Sequence, residues 1–412
     1  MRLIDTKGSN LVFVLCVPRS GSSLTTVMLQ NHSKISAMQE MWFLLSLYDL
    51  RQRKSRPFGG TDILHKFFNG VLTDELFERA CRAYALEVYN GLLYSGESSL
   101  VVDKSPRYYL ILEFLDRLFP EAKRIWLTRN PLDIAASYKK VHKHLGDPFD
   151  LLETLNSDRL NMKAVDMTAG LLRYARYFSG ASPHAIHVRY EQVASEPRQE
   201  LTRLCRFFGV EYEEGMERYG DAVRSGEAAQ FFSMGVGDPF LARHAEPHRQ
   251  SIGRWHEILT REEAIRYCHV IGARIFHELG YAEELADAEK RLGITVPDDP
   301  DEQLMERLSR QLADAAGYDW QPGYQLRADH DPGRMSVSLD AEHAITPEVM
   351  RLQMMLRSLE MRLEKCYRER DEYKARYISL RRKTDRLKAW IPFGKRLSRL
   401  AFGISGEGGH KR

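Results

Sequence analysis

The 412-residue sequence has five cysteines, no long apolar run and almost no net charge. Each shortage removes a class of protein. Cys16, Cys81, Cys205, Cys268 and Cys366 are scattered without a C-x-x-C pair. That argues against a disulfide framework or a zinc site and fits a reducing, cytoplasmic setting. The apolar run near Leu11 is too short for a bilayer and lacks a small-residue cleavage site, so it reads as a strand. No other segment is long and apolar enough to cross a membrane. Sixty Lys and Arg stand against 57 Asp and Glu, which gives no reason to expect a nucleic-acid partner. No obvious Walker B acid is present, and His142, His144, His244 and His248 lack metal-ligand spacing, so no metal is expected.

The stretch FVLCVPRSGSSLTTVMLQNH, from Phe13, has the outline of a phosphate loop without its lysine. Leu11 to Val17 is apolar and β-branched, as a strand covered on both faces should be. Pro18 to Ser23 is a polar turn, and Leu24 to Leu29 resumes at helical spacing. A strand feeding a helix through such a turn gathers free N–H groups and the positive end of a helix dipole on one anion. The Walker A pattern is G-x-x-x-x-G-K-[ST]. Here Ser22 follows Gly21 where the lysine would stand, and Cys16 takes the place of the first glycine. The loop is built for phosphate but poorly for a magnesium-bound triphosphate.

Three further runs, SSLVVDKSP from Ser98, KRIWLTRNP from Lys123 and HAIHVRYEQV from His184, are short, apolar and end in polar residues. Amphipathic helical patterns separate them, including YYLILEFLDRLFP from Tyr108 and RQELTRLCRFFGV from Arg198, the second stopping at Gly209. The expected fold is α/β, a P-loop-type parallel sheet flanked by helices and followed by a C-terminal coiled-coil helix. Residues 1–285 form the α/β domain on this reading. Residues 286–345 form an acidic linker with one short helix around Gln303 to Ala316, 346–390 a coiled coil, and 391–412 a basic amphipathic tail. The coiled coil rests on Leu352, Leu356, Leu359, Leu363, Cys366, Arg370, Tyr373, Tyr377, Leu380, Thr384 and Leu387, spaced alternately by four and three. Arg370 and Thr384 interrupt the seam, and a lone surface helix is the alternative. From residue 350 onward, eighteen Lys and Arg face seven Asp and Glu. Such a tail suits an anionic membrane surface, or it is simply a short basic end.

Polar residues just beyond strand ends are where open α/β sheets bind ligands. Arg19 in the loop, Lys104 in VVDKSPRY and Arg129 in WLTRNPLDIAASY are three cations at three strand ends. They suggest a polyanion with separated phosphates. Ser137, eight residues after Arg129, could join it on one of them.

In this arrangement the chain resembles the sulfotransferases that use 3′-phosphoadenosine 5′-phosphosulfate (PAPS). PRSGSSL looks like their 5′-phosphosulfate loop and RNPLDIAASY like their 3′-phosphate motif. DKSP resembles the strand-end lysine of the tyrosylprotein and carbohydrate branches. VRYEQV around Tyr190 and SIGRWHEIL from Ser251 resemble later segments beside the nucleotide. The resemblance covers residues from about 10 to 282 and implies PAPS as donor, without a metal. It assigns Arg19, Ser20, Gly21, Ser22, Ser23 and Leu24 to the 5′-phosphosulfate, and Arg129 and Ser137 to the 3′-phosphate. It adds Tyr190, Ser251, Gly253, Arg254 and Trp255 to the nucleotide site. Lys104 and Arg19 would stabilise the leaving group.

Sulfuryl transfer needs an acceptor hydroxyl made nucleophilic and charge stabilisation on the departing phosphate. In the tyrosylprotein branch a glutamate in a GEE segment follows the loop and its helix. Ungapped alignment puts Glu40 on the second acid, with Gln39 and Met38 in place of the other two residues. Glu40 is the candidate base and His32 the competitor. The acceptor is an unknown hydroxyl compound, a glycan, a glycolipid or another surface or secondary metabolite. Its contacts are expected from residues 42–97, 140–170 and 215–245. Homo-oligomerisation through the coiled coil and peripheral contact with the inner membrane surface are further expectations. A P-loop small-molecule kinase and a non-catalytic coiled-coil scaffold are the alternatives.

Overall fold

The computed structural model describes residues 3–38, 40–93, 98–147, 149–220, 240–241, 244–318, 321, 323–326 and 347–390. The tail 391–412 and most of the acceptor segment 215–245 lie outside them. Among the described residues, β1 (Leu11–Leu15), β2 (Ile35–Met38), β3 (Leu100–Lys104), β4 (Lys123–Thr128) and β5 (Ala185–Arg189) form a parallel sheet in the order β2-β3-β1-β4-β5.

Every residue of β1 is buried, and the period of two assigns its side chains to opposite faces. Val12 and Val14 join a core with Val27 and Met28 of helix α1 (Ser22–Gln30). Phe13 points the other way, its ring 6.0 Å from that of Tyr108 and 6.3 Å from that of Phe119. Parallel pairing sets Val14 level with Lys104 and Leu15 level with Trp126. Because β1 lies between β3 and β4, the chain passes from one side of β1 to the other after β3. The carboxyl ends of these three strands therefore meet where the strand order reverses, the position at which such sheets bind ligands.

Several expectations differ in detail. β2 was not anticipated: four residues, ISAM, are too short and mixed to announce a strand. The helix expected from Tyr108 to Phe119 is a 3₁₀ turn, Tyr108–Leu110, and a helix α4 (Leu112–Leu118), broken at Ile111 with φ −135°. Among the helices between β2 and β3 are α2 (Phe43–Tyr48) and α3 (Asp74–Leu93). The adjacent tyrosines are drawn to different buried carboxylates. The Tyr108 hydroxyl donates to Asp103 at 2.7 Å, and that of Tyr109 to Asp166 at 2.5 Å.

The segment expected as a linker carries the expected helix, Glu302–Ala316. Its described part is packed onto the α/β unit. Leu304, Leu308 and Leu312 form a buried stripe on that helix. The Tyr324 hydroxyl donates to buried Asp116 at 2.7 Å and the Leu326 N–H to the Tyr177 carbonyl at 2.8 Å. One apolar residue in four is enough to dock a helix whose remaining positions are mostly polar. Residues 327–346 lie outside the described set.

The chain forms two compact units, residues 1–68 with 74–344 and residues 69–73 with 345–412. In the second, Pro347–Trp390 is one helix of 44 residues, about 66 Å long at 1.5 Å per residue. Leu352, Leu356, Leu363, Tyr373, Tyr377 and Leu380 on its seam are 53–70% exposed. No helix among the described residues is long and apolar enough to cross a membrane.

Candidate active site

The loop after β1 turns sharply because two of its residues are left-handed, Arg19 with φ 72° and Gly21 with φ 88°. For an arginine this costs on the order of 1 kcal/mol, and neighbours hold it in place. The Arg19 carbonyl accepts from Arg129 Nη1 at 3.0 Å, and its Nε donates to Ser137 Oγ at 3.2 Å. At Gly21 no side chain fits, since a Cβ would lie 2.2 Å from the Tyr190 ring. Helix α1 begins at Ser22 without a side-chain cap. Its first-turn N–H groups, on Ser22, Ser23 and Leu24, have no acceptor within the helix, and all three residues line the cleft above the loop.

Arg129 follows β4 directly, before helix α5 (Pro131–Leu145). The Asn130 side chain caps α5 by accepting from the Leu132 N–H at 3.0 Å, and Pro131 suits the first helical position. Arg129 Nη2 donates to the Ser251 carbonyl at 2.7 Å, and the guanidinium lies 4.4 Å from the Tyr190 ring centre. Its Nε is buried and has no hydrogen-bond partner among the described residues. One turn into α5, Asp133 accepts from the Gly253 N–H at 2.6 Å and the Trp255 N–H at 3.0 Å. Burial pushes its carboxyl above the ordinary range, while Arg129 and these backbone donors pull the other way.

Lys104 ends β3 fully buried, and its Nζ donates to Glu40 Oε1 at 3.0 Å; the Glu40 side chain is 15% exposed. The Trp42 indole N–H donates to the other oxygen, Oε2, at 2.9 Å. Trp42 is itself left-handed, with φ 58°, just before α2. Its backbone N–H donates to Ser105 Oγ at 3.3 Å, and Ser105 donates to Asp103 at 3.1 Å. Asp103 in turn accepts from the hydroxyls of Tyr89, on α3, and Tyr108, each at 2.7 Å. The Glu40 carboxylate is thus oriented through both oxygens, with one accessible edge.

The cleft has a volume of about 650 Å³, within the usual range for ligand sites. It brings together Arg19, Gly21, Ser22, Ser23 and Leu24 with Glu40, and on its other walls Arg129, Ser137, Tyr190, Ser251 and Arg254. Tyr190 opens the short helix α6 (Tyr190–Ser195) straight after β5. Four expected residues are not on the cleft wall. Ser20 is buried, its Oγ without a partner among the described residues. Lys104 lies behind Glu40, and Gly253 and Trp255 act through backbone N–H groups on Asp133. Arg254 pairs with Glu257 at the rim. The competitor His32 is buried elsewhere, with Nε2 2.7 Å from the Glu211 carbonyl oxygen, and does not line the cleft.

Sequence reasoning missed Asp133 as an anchor, while Lys140 and Lys143, which line the cleft, fall in the segment 140–170 expected to meet the acceptor. Lys140 follows Ser137 by three residues, which puts it beside Ser137 on α5, and Lys143 follows Lys140 by three in turn. Among the described residues no group of three or more His, Cys, Asp or Glu could hold a metal ion.

A family model described as "Sulfotransferase family" matches residues 11–214, which contain the loop, Lys104, Arg129 and Tyr190. The nodulation protein NoeE of Sinorhizobium fredii is 28% identical over 298 residues, covering 68% of this chain and 67% of that protein. The chain belongs to the sulfotransferase family. It is an enzyme of sulfuryl transfer. The protein-tyrosine sulfotransferase 1 of Danio rerio is 24% identical over 222 residues, 53% of this chain and 59% of that protein. A sulfotransferase domain from the olefin synthase of Synechococcus PCC 7002 superposes with a TM-score of 0.44 at 23% identity, covering 69% of this chain and 96% of that one.

The residues present fit a sulfotransferase donor. Gly21 lets the Tyr190 ring pack directly against the loop, the first turn of α1 offers free N–H groups, and the buried Arg129 Nε lacks an acceptor among the described residues. Asp133 gives a test of how the cleft is held. In Asp133→Asn an amide NH₂ must face either the Gly253 or the Trp255 N–H, so one of the two bonds is lost. The expected result is roughly tenfold weaker binding of the product 3′-phosphoadenosine 5′-phosphate (PAP), read by calorimetry, with the circular dichroism spectrum unchanged. Unchanged affinity would mean that residues 251–255 do not depend on this anchor.

Proposed function

We propose that the chain transfers the sulfuryl group of PAPS to a hydroxyl of a glycan or glycolipid, with Glu40 as general base. The observation that carries this reading is the Lys104–Glu40 pair, 3.0 Å apart beside the anion loop, with Glu40 on the cleft wall. When bound, PAPS supplies the sulfuryl group and leaves as PAP. The N–H groups of Ser22, Ser23 and Leu24 hold the 5′-phosphosulfate, as free helix N-termini hold anions. Arg129 and Ser137 hold the 3′-phosphate and Tyr190, Ser251 and Arg254 border the nucleotide. Glu40 takes the acceptor's hydroxyl proton, and the neighbouring Lys104 ammonium offsets charge gathering on the leaving oxygen. The Arg19 side chain reaches Ser137, so it serves the 3′-phosphate side, and Lys104, enclosed behind Glu40, acts on the leaving group through its charge rather than by contact.

The basic, aromatic composition of residues 391–412 supports work at an anionic inner membrane surface, where lipid-linked glycans present hydroxyls. The sustained heptad of Pro347–Trp390 supports a homo-oligomer formed through a coiled coil. Transfer from labelled PAPS, screened over glycan, glycolipid, phenol and peptide acceptors, tests the function. Label is expected on a glycan or glycolipid hydroxyl. Label confined to phenols or peptides would overturn the acceptor class, and no PAP-induced rise in melting temperature at millimolar PAP would overturn the donor assignment for this cleft.

A further inference from the structure

We infer that the helix Pro347–Trp390 pairs with the same helix of a second copy of this chain in antiparallel orientation. The inference rests on the coiled-coil reading above and adds its direction. Alternation of four and three residues puts Leu356, Leu363, Arg370, Tyr377 and Thr384 at heptad a positions. It puts Leu352, Leu359, Cys366, Tyr373, Leu380 and Leu387 at d. In a parallel dimer each a residue meets its own copy. Arg370 would then face Arg370 in mid-seam, a like-charge contact between two guanidinium groups that the neighbouring Asp371, 2.9 Å from each Nε, offsets only in part.

Antiparallel pairing sets a against d. Aligned so that Arg370 meets Tyr373 of the second copy, Leu356 meets Leu387, Leu363 meets Leu380 and Thr384 meets Leu359. Arg370 then lies over an aromatic ring, twice, on either side of the dyad. That is a favourable setting for a guanidinium, and one it already uses within a chain, 4.8 Å from the Tyr367 ring centre.

The flanking charges point the same way. In the antiparallel register Glu360 faces Arg381 and Glu369 faces Arg376, each pair occurring twice by symmetry. One unfavourable pair remains, Arg362 with Lys383. In the parallel register Arg376 faces Arg381, and the attractive contact is Glu369 with Lys374. Flanking pairs of this kind set coiled-coil partner and orientation. Within one chain Glu360 bonds Arg357 at 2.9 Å and Glu369 lies 3.7 Å from Lys365. Both are exposed contacts of low strength that do not compete with an interhelical pair.

The test uses the full-length chain and does not depend on sulfuryl transfer. Sedimentation velocity across a concentration range gives the dimer affinity. Arg381→Glu turns two attractive pairs into repulsive ones in the antiparallel dimer, so affinity is expected to fall about tenfold. The double variant Glu360→Lys/Arg381→Glu is expected to restore it. In a parallel dimer Arg381→Glu alone would face Arg376 and tighten association.

Cys366 supplies a second reading, since it is exposed while the other four cysteines are buried. In the antiparallel register the two Cys366 residues lie about 16 Å apart along the axis, and mild oxidation should leave the dimer uncrosslinked. In a parallel dimer they would face each other at one d layer. A monomer at every concentration overturns the coiled-coil reading and the orientation with it. A dimer that tightens with Arg381→Glu, or that crosslinks rapidly through Cys366, overturns the orientation alone.

Discussion

Glu40→Gln is expected to lower kcat by about 10²–10⁴ while leaving PAP binding within about threefold of the parent. The amide keeps the size of the side chain, and its oxygen can still accept from the Trp42 indole N–H, which now lies 2.9 Å from Oε2. It cannot accept a proton from the acceptor hydroxyl. The substitution also removes the partner of Lys104, whose side chain is fully buried. Breaking a buried pair from one side costs about 3–5 kcal/mol when both members are enclosed. Here Glu40 keeps some contact with water, so about 1–2 kcal/mol is expected, visible as a lower melting temperature without PAP. Measuring turnover and the PAP-induced rise together separates the roles. A lost rise along with lost turnover would mean that the variant disturbs the loop. Turnover within threefold of the parent, in a variant that still binds PAP, would remove Glu40 as the base.

The parts of this site that were legible in the sequence share one property. Each is a polar residue placed directly after a short apolar run. Arg19, Lys104 and Arg129 follow β1, β3 and β4 in that way, and the parallel sheet brings those strand ends together. Order along the chain was therefore nearly enough to place Arg19 and Arg129 on one cleft wall and Lys104 just behind it.

The parts that were not legible depend on partners far away in sequence. Asp133 looks like an ordinary acid in a first helical turn, yet it fixes a segment 120 residues on through the Gly253 N–H. Asp103, Tyr89 and Tyr108 are separate residues until burial joins them beneath Ser105 and Trp42. β2 is short, and its pairing with β3 supplies what its composition does not. Acidic residues between 286 and 326 suggested a linker because their charge masks a narrow apolar stripe. Docking depends on that stripe and on a few hydroxyls that reach buried carboxylates.

Arg129 shows why this tertiary information matters for function. Arg129→Ala is expected to weaken PAP binding at least 100-fold and to abolish the rise in melting temperature at PAP concentrations that saturate the parent. Loss of two charge-assisted hydrogen bonds, each about 1.5–3 kcal/mol, is sufficient for that. At a ligand concentration 100 times Kd the parent gains about 2.7 kcal/mol of stability, and a 100-fold weaker Kd removes nearly all of it. The side chain is also a fastener. It donates to the Arg19 carbonyl at 3.0 Å and to the Ser251 carbonyl at 2.7 Å while stacking 4.4 Å from Tyr190. Those contacts tie the loop after β1 to the segment before Trp255 across the sheet end. Arg129→Lys keeps the charge but cannot hold two directed bonds and a stacked plane together. It is expected to recover less than tenfold of the lost affinity. Ser137→Ala, which removes one neutral hydroxyl from the same wall, is expected to cost about fivefold. If Arg129→Lys bound PAP as well as the parent, the guanidinium geometry would have no part in recognition and only its charge would count. If Ser137→Ala cost as much as Arg129→Ala, the anion would sit on α5 rather than on the strand end.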